Sequence, residues 1–444
     1  MSPDNDKINS GISRELVEYV SNIKNEPKWM LGKRLEAYEM YLKTPLPAWG
    51  PSLSGLDFEN MTYFADPNSR ETSDWNKVPE IIKKTFEDLG IPKAEREVLG
   101  GVGAQYDSGI VYHNLKKNLE DKGVIFENMD VALQKYPDMV KKYFMTDCVP
   151  ASDHKFTMLH GALWSGGTFI YVPKNVKVDL PLQAYFRMNK QSSAQFEHTL
   201  IIGDEGSEIT YIEGCSAPSY TTSSLHAGCV ELFVLKDAKI KYISIENWSK
   251  NTYNLNTKKA LVYENGEIKW VNGNMGASVT MLYPSSVLLG DGAKSDSLSI
   301  VLASGNQIQD TGGKVTHVAS NTSSTMRSKS ISNKGGQAIF RGLVKITPKA
   351  DNTQSAVICD SLIMDNESSS DTYPSVKNQN SKSRISHEAR VGRIGDEELF
   401  YLKNRGFSEE EAVRMIVGGF VGPIIKALPL EYAVELNKLV EISI

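Results

Sequence analysis

The sequence predicts a mainly β protein, a right-handed parallel β-helix or solenoid core flanked by helical N-terminal and C-terminal regions. Three observations lead there. From about Thr157, short β-branched and aromatic runs (FIYV, HTLIIGDEGSEITYIEG, VELFVLKDAKIKYISIENW, KALVYENGEIKWVNG, SVLLGDGAKSDSLSIVLA) alternate with turn residues. Turn signals near Gly203–Gly206, Asp237, Asn265–Gly266, Asp291–Gly292, Gly312–Gly313 and Gly335–Gly336 return roughly every 20 to 35 residues, whereas hairpins turn about every 8–12. "DAKIKY" and "NGEIKW" echo one another, as units do that must stack because one coil cannot bury its apolar face alone. A large β-sandwich is the rival that periodicity leaves open.

The chain divides into residues 1–155, mainly helical, 156–385, the β-helix core, and 386–444, helical again. Leu16, Tyr19, Val20 and Ile23 take the i, i+3, i+4, i+7 spacing of one helix face. After Pro27 a second helix carries Leu31, Leu35, Tyr38 and Leu42 until Pro45 and Pro47 stop it. A third, with Ile82, Phe86 and Leu89, ends at Gly90. Mixed helix and short strand follow to about Asp147. Beyond the β runs, the polar stretches Asp365–Ser370 and Lys377–Arg384 read as an exposed rim. Ser408 and Glu411 then make a capping box ahead of Val413, Ile416, Val417 and Phe420. A last helix uses Tyr432, Leu436, Leu439 and Val440.

Composition excludes several functions. With 49 basic and 54 acidic side chains among 444 residues, the net charge of −5 gives no basic surface for a general nucleic-acid binder. The start, MSPDNDKINSG, has neither an apolar h-region nor an Arg-rich amphipathic stretch. Met415 to Leu428, broken by Gly418, Gly419, Gly422 and Pro423, falls short of the roughly 20 helical residues that span a bilayer. A cytoplasmic protein without membrane or nucleic-acid partners is expected. The four cysteines, Cys148, Cys215, Cys229 and Cys359, are sparse and form no C-x-x-C pair, unlike a disulfide framework or a zinc site within one chain.

No Walker-type phosphate loop or G-x-S-x-G elbow occurs, and Gly100-Gly101-Val102-Gly103 reads as a turn. His387-Glu388 begins like a zinc-protease motif, but Val391 stands where the second histidine is needed. What remains is Cys359 in a strand-like stretch, with His387 and Glu388 about one coil length later. Thiolate, imidazole and carboxylate are all iron ligands; a buried cysteine and a solvated His–Glu turn is the competing reading. Cys215 leaves a strand toward a Gly/Pro/Ser loop, where a thiol is accessible and hence reactive, or else simply packed. Cys148 and Cys229 have no partner groups nearby in sequence and read as structural.

With these residues in view, the chain resembles the SufB proteins, iron–sulfur cluster assembly subunits. The likeness covers nearly the whole chain. It runs through Asn25-Glu26-Pro27 with Trp29-Met30-Leu31, Gly101 to Asp107, Trp164-Ser165-Gly166-Gly167 with Phe169 to Pro173, and Tyr211 to Pro218. Arg341 to Ile346, Cys359-Asp360-Ser361, His387-Glu388-Ala389 and Arg393-Ile394-Gly395 follow in the same order. The resemblance implies a scaffold with no ATP hydrolysis of its own. It implies a SufC ATPase partner, a SufD subunit or second SufB copy, a cysteine desulfurase or sulfur carrier, and apo iron–sulfur proteins as recipients. Cys215 would accept persulfide sulfur, and Arg187, Asn189, Trp248 and Lys258 would line its path. Cys359 with Glu388 and His387 would hold the transient iron–sulfur cluster beside a partner subunit, with reduced flavin a candidate cofactor of the complex. Two positions depart from the pattern: Glu246 stands where an amide is expected, placing an acid beside Trp248, and Ser386 replaces an acid before His387. A SufD-like subunit and a β-helix carbohydrate-active enzyme are the rival functions. Retention of both Cys215 and Cys359 argues against the first, and the motif match against the second.

Overall fold

The computed structural model describes residues 11–66, 71–80, 82–84 and 99–426. Its body is a β-solenoid. One face stacks parallel strands in chain order: Leu182–Arg187, Glu208–Ser216, Lys239–Asn247, Glu267–Met275, Lys294–Ser304, Ser323–Asn333, Gln354–Ile363 and Arg384–Arg393. The echo read in the sequence is this stacking, for Tyr242 and Trp270 are register partners. A second face stacks Gly167–Val172, His198–Gly203, Cys229–Val234, Thr257–Val262 and Ser285–Leu288, and a short third face begins with Ala194–Gln195. The strand Ile308–His317 joins these two faces, since its first half pairs with Val279–Leu282 and its second with Ser285–Leu288. From there the coil has two long faces instead of three. The join allows little bulk: a Cβ on Gly312 would lie 1.9 Å from the Arg341 carbonyl oxygen.

The recurrent turn signals have a backbone cause. Asn175, Asp237, Asn265, Asn321 and Asn352 hold φ between 53° and 61°, and Gly206 and Gly292 hold 69° and 72°. This left-handed conformation disfavours residues other than Gly, Asn and Asp. All of these amides but that of Asn352 are seen to donate to a carbonyl one coil on, as Asp237 N–H does to Glu264 O (2.8 Å) and Asn321 N–H to Asp351 O (2.8 Å). Asn321→Val is therefore expected to cost about 1–2 kcal/mol, read as a lower urea midpoint at unchanged slope. An unchanged midpoint would show that the corner does not constrain the coil.

Side chains alternate across the first face. Tyr211, Tyr242 and Trp270 point into the solenoid, while Ile212, Ile243, Ile245, Ile300 and Ile331 point out under Val417 and Val421. These two valines belong to the helix Glu409–Ile425, whose capping box forms: Ser408 N–H donates to Glu411 (2.8 Å) and Glu411 N–H to Ser408 Oγ (3.2 Å). The covering helix explains why this face reads as a continuous apolar run. N-terminally, the helices Arg14–Ile23 and Lys28–Lys43 form as expected. The second, however, buries Met30, Arg34, Ala37 and Tyr41 rather than Leu31, Leu35, Tyr38 and Leu42. Arg34 tolerates burial because Glu26 (2.7 Å) and the carbonyls of Ala162 (3.1 Å) and Trp164 (2.9 Å) accept its protons. The third expected helix beyond Lys84 and the helix around Tyr432 to Val440 lie outside the described residues.

The two ends of the solenoid differ. Gly101–Tyr106 and Gly109–Leu115 cap the first coil as a hairpin. At the other end, Ser369–Asn378 and Arg384–Arg393 have neighbours on one side only among the described residues, and Tyr373, Val376 and Val391 are exposed there. The β body thus runs to Arg393, beyond the boundary at 385, and the helices resume at Asp396. His387 and Glu388 belong to the last rung because their segment pairs in register with Gln354–Ile363.

Candidate functional site

Cys215 lies inside the solenoid, 1% exposed, in the core cluster that also holds Trp248 and Ala277. The strand-end accessibility expected from sequence is absent because Cys215 shares the inward parity of Tyr211 on its strand. Around it is a buried polar chamber. Ligand atoms of Glu197, Cys215 and His226 lie within 4.8 Å of one another. Lys258 Nζ donates to Ser244 Oγ (2.9 Å) and Glu246 Oε1 (2.5 Å), with Glu213 at 3.8 Å. Trp248 Nε1–H donates to Glu246 (3.4 Å), its ring against His226 at 4.2 Å between centroids. His226 also bonds Glu197 and the Asn254 side chain. Burial, then Glu213, Glu246 and Glu197, push the Cys215 thiol well above its usual range, against the pull of Lys258. Burial likewise raises Glu246, but Lys258 and His226 outweigh it and hold this carboxyl low. The acid that departs from the expected amide is thus neutralised locally.

From the chamber a polar column runs along the first face. Glu213, Ser244, Asn272, Ser299, Ser328 and Cys359 are successive register partners, one per strand. All six are buried. Beside them Cys215, Glu246 and Asn274 form a parallel column. At about 4.8 Å per strand, five steps separate the two cysteine-bearing rungs by about 24 Å. Glu197 Oε2 and Asn274 Oδ1 are shielded acceptors with no hydrogen-bond partner among the described residues.

Cys359 points inward on the penultimate rung, 2% exposed, with Sγ 3.9 Å from His387 Nε2. Burial, then Asp360, push its thiol up to about 12. Glu388 does not join them. It pairs with Ile358 in register, and so faces the opposite side of the sheet from Cys359. There it meets Arg390 (2.5 Å) with its side chain 53% exposed. Strand alternation is the reason, and Ser386 shares that outer parity.

The remaining predicted residues separate. Trp248 and Lys258 line the chamber. Arg187 alternates away from Phe186, the register partner of Cys215, and donates to Ser216 Oγ (2.9 Å) at the strand's end. Asn189 lies beyond it, its backbone N–H donating to Asp107 (2.6 Å) and its carbonyl accepting from Tyr220. Cys148 and Cys229 are buried under the N-terminal helices, with both thiols pushed up chiefly by burial. Sequence reasoning missed Glu197, Glu213, His226, Asn254 and the serine column. Aligning the echoed repeats would have found part of it, since Tyr211, Tyr242 and Trp270 stack two positions before Glu213, Ser244 and Asn272.

Among the described residues no helix is long and apolar enough to cross a membrane. A profile for the SUF system FeS cluster assembly SufBD core domain matches residues 186–420, and one for the SufBD protein N-terminal region matches 106–184. Iron–sulfur cluster assembly SufBD family proteins of Staphylococcus aureus (strain MRSA252) and Staphylococcus saprophyticus are each 53% identical over 431 residues, covering 97% of this chain and 92% of the relative. A solenoid with an interior cysteine chamber, sharing this identity over almost its whole length, belongs to the SufBD family of iron–sulfur cluster assembly proteins.

Proposed function

We propose that the chain is the SufB-type scaffold of a cytoplasmic SUF complex, accepting sulfur at Cys215 and assembling a transient cluster at Cys359 for apo-proteins. The polar column from the Cys215 chamber to Cys359 carries this reading. The Cys215 thiolate attacks the outer sulfur of a desulfurase persulfide, forming a new S–S bond and releasing the donor thiolate. Lys258 offsets the charge, and Glu197 and Asn274 offer acceptors to a protonated sulfur species. The column then supports transfer to Cys359, where the sulfane sulfur needs two electrons to become sulfide; reduced flavin in the complex is their proposed source. Iron is cargo here, taken by Cys359 and His387. Glu388, on the outer side, contributes only where the last coil shifts or a partner surface, SufD or a second copy, wraps the bare rung. ATP turnover belongs to SufC and acts through the helices from Asp396 onward.

Incubation with a cysteine desulfurase and cysteine is expected to add sulfur to Cys215, read by peptide mass spectrometry. Ser328→Leu should leave that adduct intact while lowering sulfur at Cys359 about tenfold, a barrier of about 1.4 kcal/mol. Equal transfer in the variant would remove the column from the path. One observation favours a SufD-like subunit instead: Cys215 is sealed and its thiol held protonated. Absence of sulfur on Cys215 when SufC and the donor are both present would establish that reading.

A further inference from the structure

The N-terminal region carries a second, unrelated cluster of ligating groups. His113 comes from the capping strand Gly109–Leu115, Glu127 from Ile125–Asn128, and Glu71 from the segment bridged to Tyr112 through Thr72. One ligand atom from each lies within 4.8 Å of the other two. Two further groups of this kind occur among the described residues, His160–His198–Cys229 and Glu197–Cys215–His226. They differ in how the protein already occupies their nitrogens. His160 bonds the Ala227 carbonyl (2.9 Å) and His198 (3.0 Å), His198 also bonds Glu231 (3.1 Å), and His226 bonds Asn254 (2.8 Å) and Glu197. Among the described residues, the Nε2 of His113 is shielded from solvent without a hydrogen-bond partner. A shielded nitrogen that has given up its water without gaining a partner is unfavourable, so a ligand is expected to satisfy it.

The surroundings are pre-set. The Asn128 amide donates to Glu71 (2.9 Å), while its carbonyl oxygen caps the helix Met129–Lys135. Lys135 Nζ donates to Glu127 Oε1 (2.7 Å). Each carboxylate is thus oriented through one bonded oxygen and keeps the other. Phe126, with its ring 4.6 Å from that of His113, walls one side. Such outer contacts fix ligands before an ion arrives.

We propose that Glu71, His113 and Glu127 bind one divalent first-row metal ion, zinc or iron(II) in class, through one imidazole nitrogen and two carboxylate oxygens. This mixed donor set suits those ions over magnesium or calcium, which take oxygen alone. The site stands apart from the cysteines of the solenoid and does not depend on the function proposed for them. It would tie three segments of the N-terminal cap together.

The test uses the full chain and Co²⁺ as probe, under anaerobic equilibrium dialysis with visible spectroscopy. In a Cys215→Ser/Cys359→Ser background, which removes the thiols proposed to take iron, the chain is expected to bind one equivalent with d–d bands and no sulfur-to-cobalt charge transfer. His113→Gln and Glu127→Gln should each lose that equivalent while circular dichroism stays unchanged. The Glu127 variant decides the matter where His113→Gln fails to fold. Binding retained in the Glu127 variant of that background overturns the proposal, and so does loss of all Co²⁺ binding once the two cysteines are replaced.

Discussion

Cys359→Ala is expected to abolish cluster formation: after anaerobic reconstitution with SufC, iron and sulfide, the visible absorbance of the variant complex should stay at background. No other thiol is on the last rungs, and the nearest imidazole, His387, holds iron weakly without sulfur beside it. The same environment predicts a pH dependence. Burial first, and the Asp360 charge second, hold this thiol up to about 12, so at neutral pH it is protonated and slow to react. Its thiolate fraction grows about tenfold per pH unit below that value. Alkylation of Cys359 in the isolated chain should therefore be about a hundredfold faster at pH 9 than at pH 7, and faster again in Asp360→Asn. A rate flat across that range would mean the thiol is already ionised. Cluster formation by Cys359→Ala at the wild-type level would remove the site altogether.

The second large effect falls on stability. Lys258→Met leaves Glu246 ionised and buried without its cation and is expected to cost about 3–5 kcal/mol. Glu246→Gln in that background should recover most of the loss, since an amide keeps the bonds with Asn254 and Trp248 without a charge. Burial lowers Lys258, but Glu246 and Glu213 outweigh it and raise the group. Its stabilisation is thus complete below the unfolded value of about 10.4 and lost as pH rises through the folded value. Glu246 is held low, so its contribution is present above about 4.3 and lost as pH falls through the folded value. The penalty of Lys258→Met should be largest between those limits, measured as the urea midpoint against pH. A cost under about 1 kcal/mol would mean that water reaches the chamber.

Much of the solenoid was legible because its corners demand particular residues. Asn and Asp at left-handed positions, with Gly between them, announce each coil whatever the strands contain. Register was not legible. Coil lengths vary by a few residues, and a slip of one reverses every side chain. Ala389, thirty residues after Cys359, is its partner, so His387 keeps the inward parity and Glu388 loses it. A separation of about one coil, read without the register, makes the two look equivalent. Arg34 shows the same limit, since its burial rests on Glu26 and on two carbonyls over a hundred residues away.

Solenoid coils are stabilised chiefly by nearest neighbours, and the rung Arg384–Arg393 has only one among the described residues. Its amides should exchange with deuterium soonest in the β body, with protection climbing coil by coil toward the capped end. Fraying of that single turn would uncover the sulfur of Cys359 while the Cys215 chamber stays shut, so that, on the proposed function, iron would enter at one terminus without wetting the other.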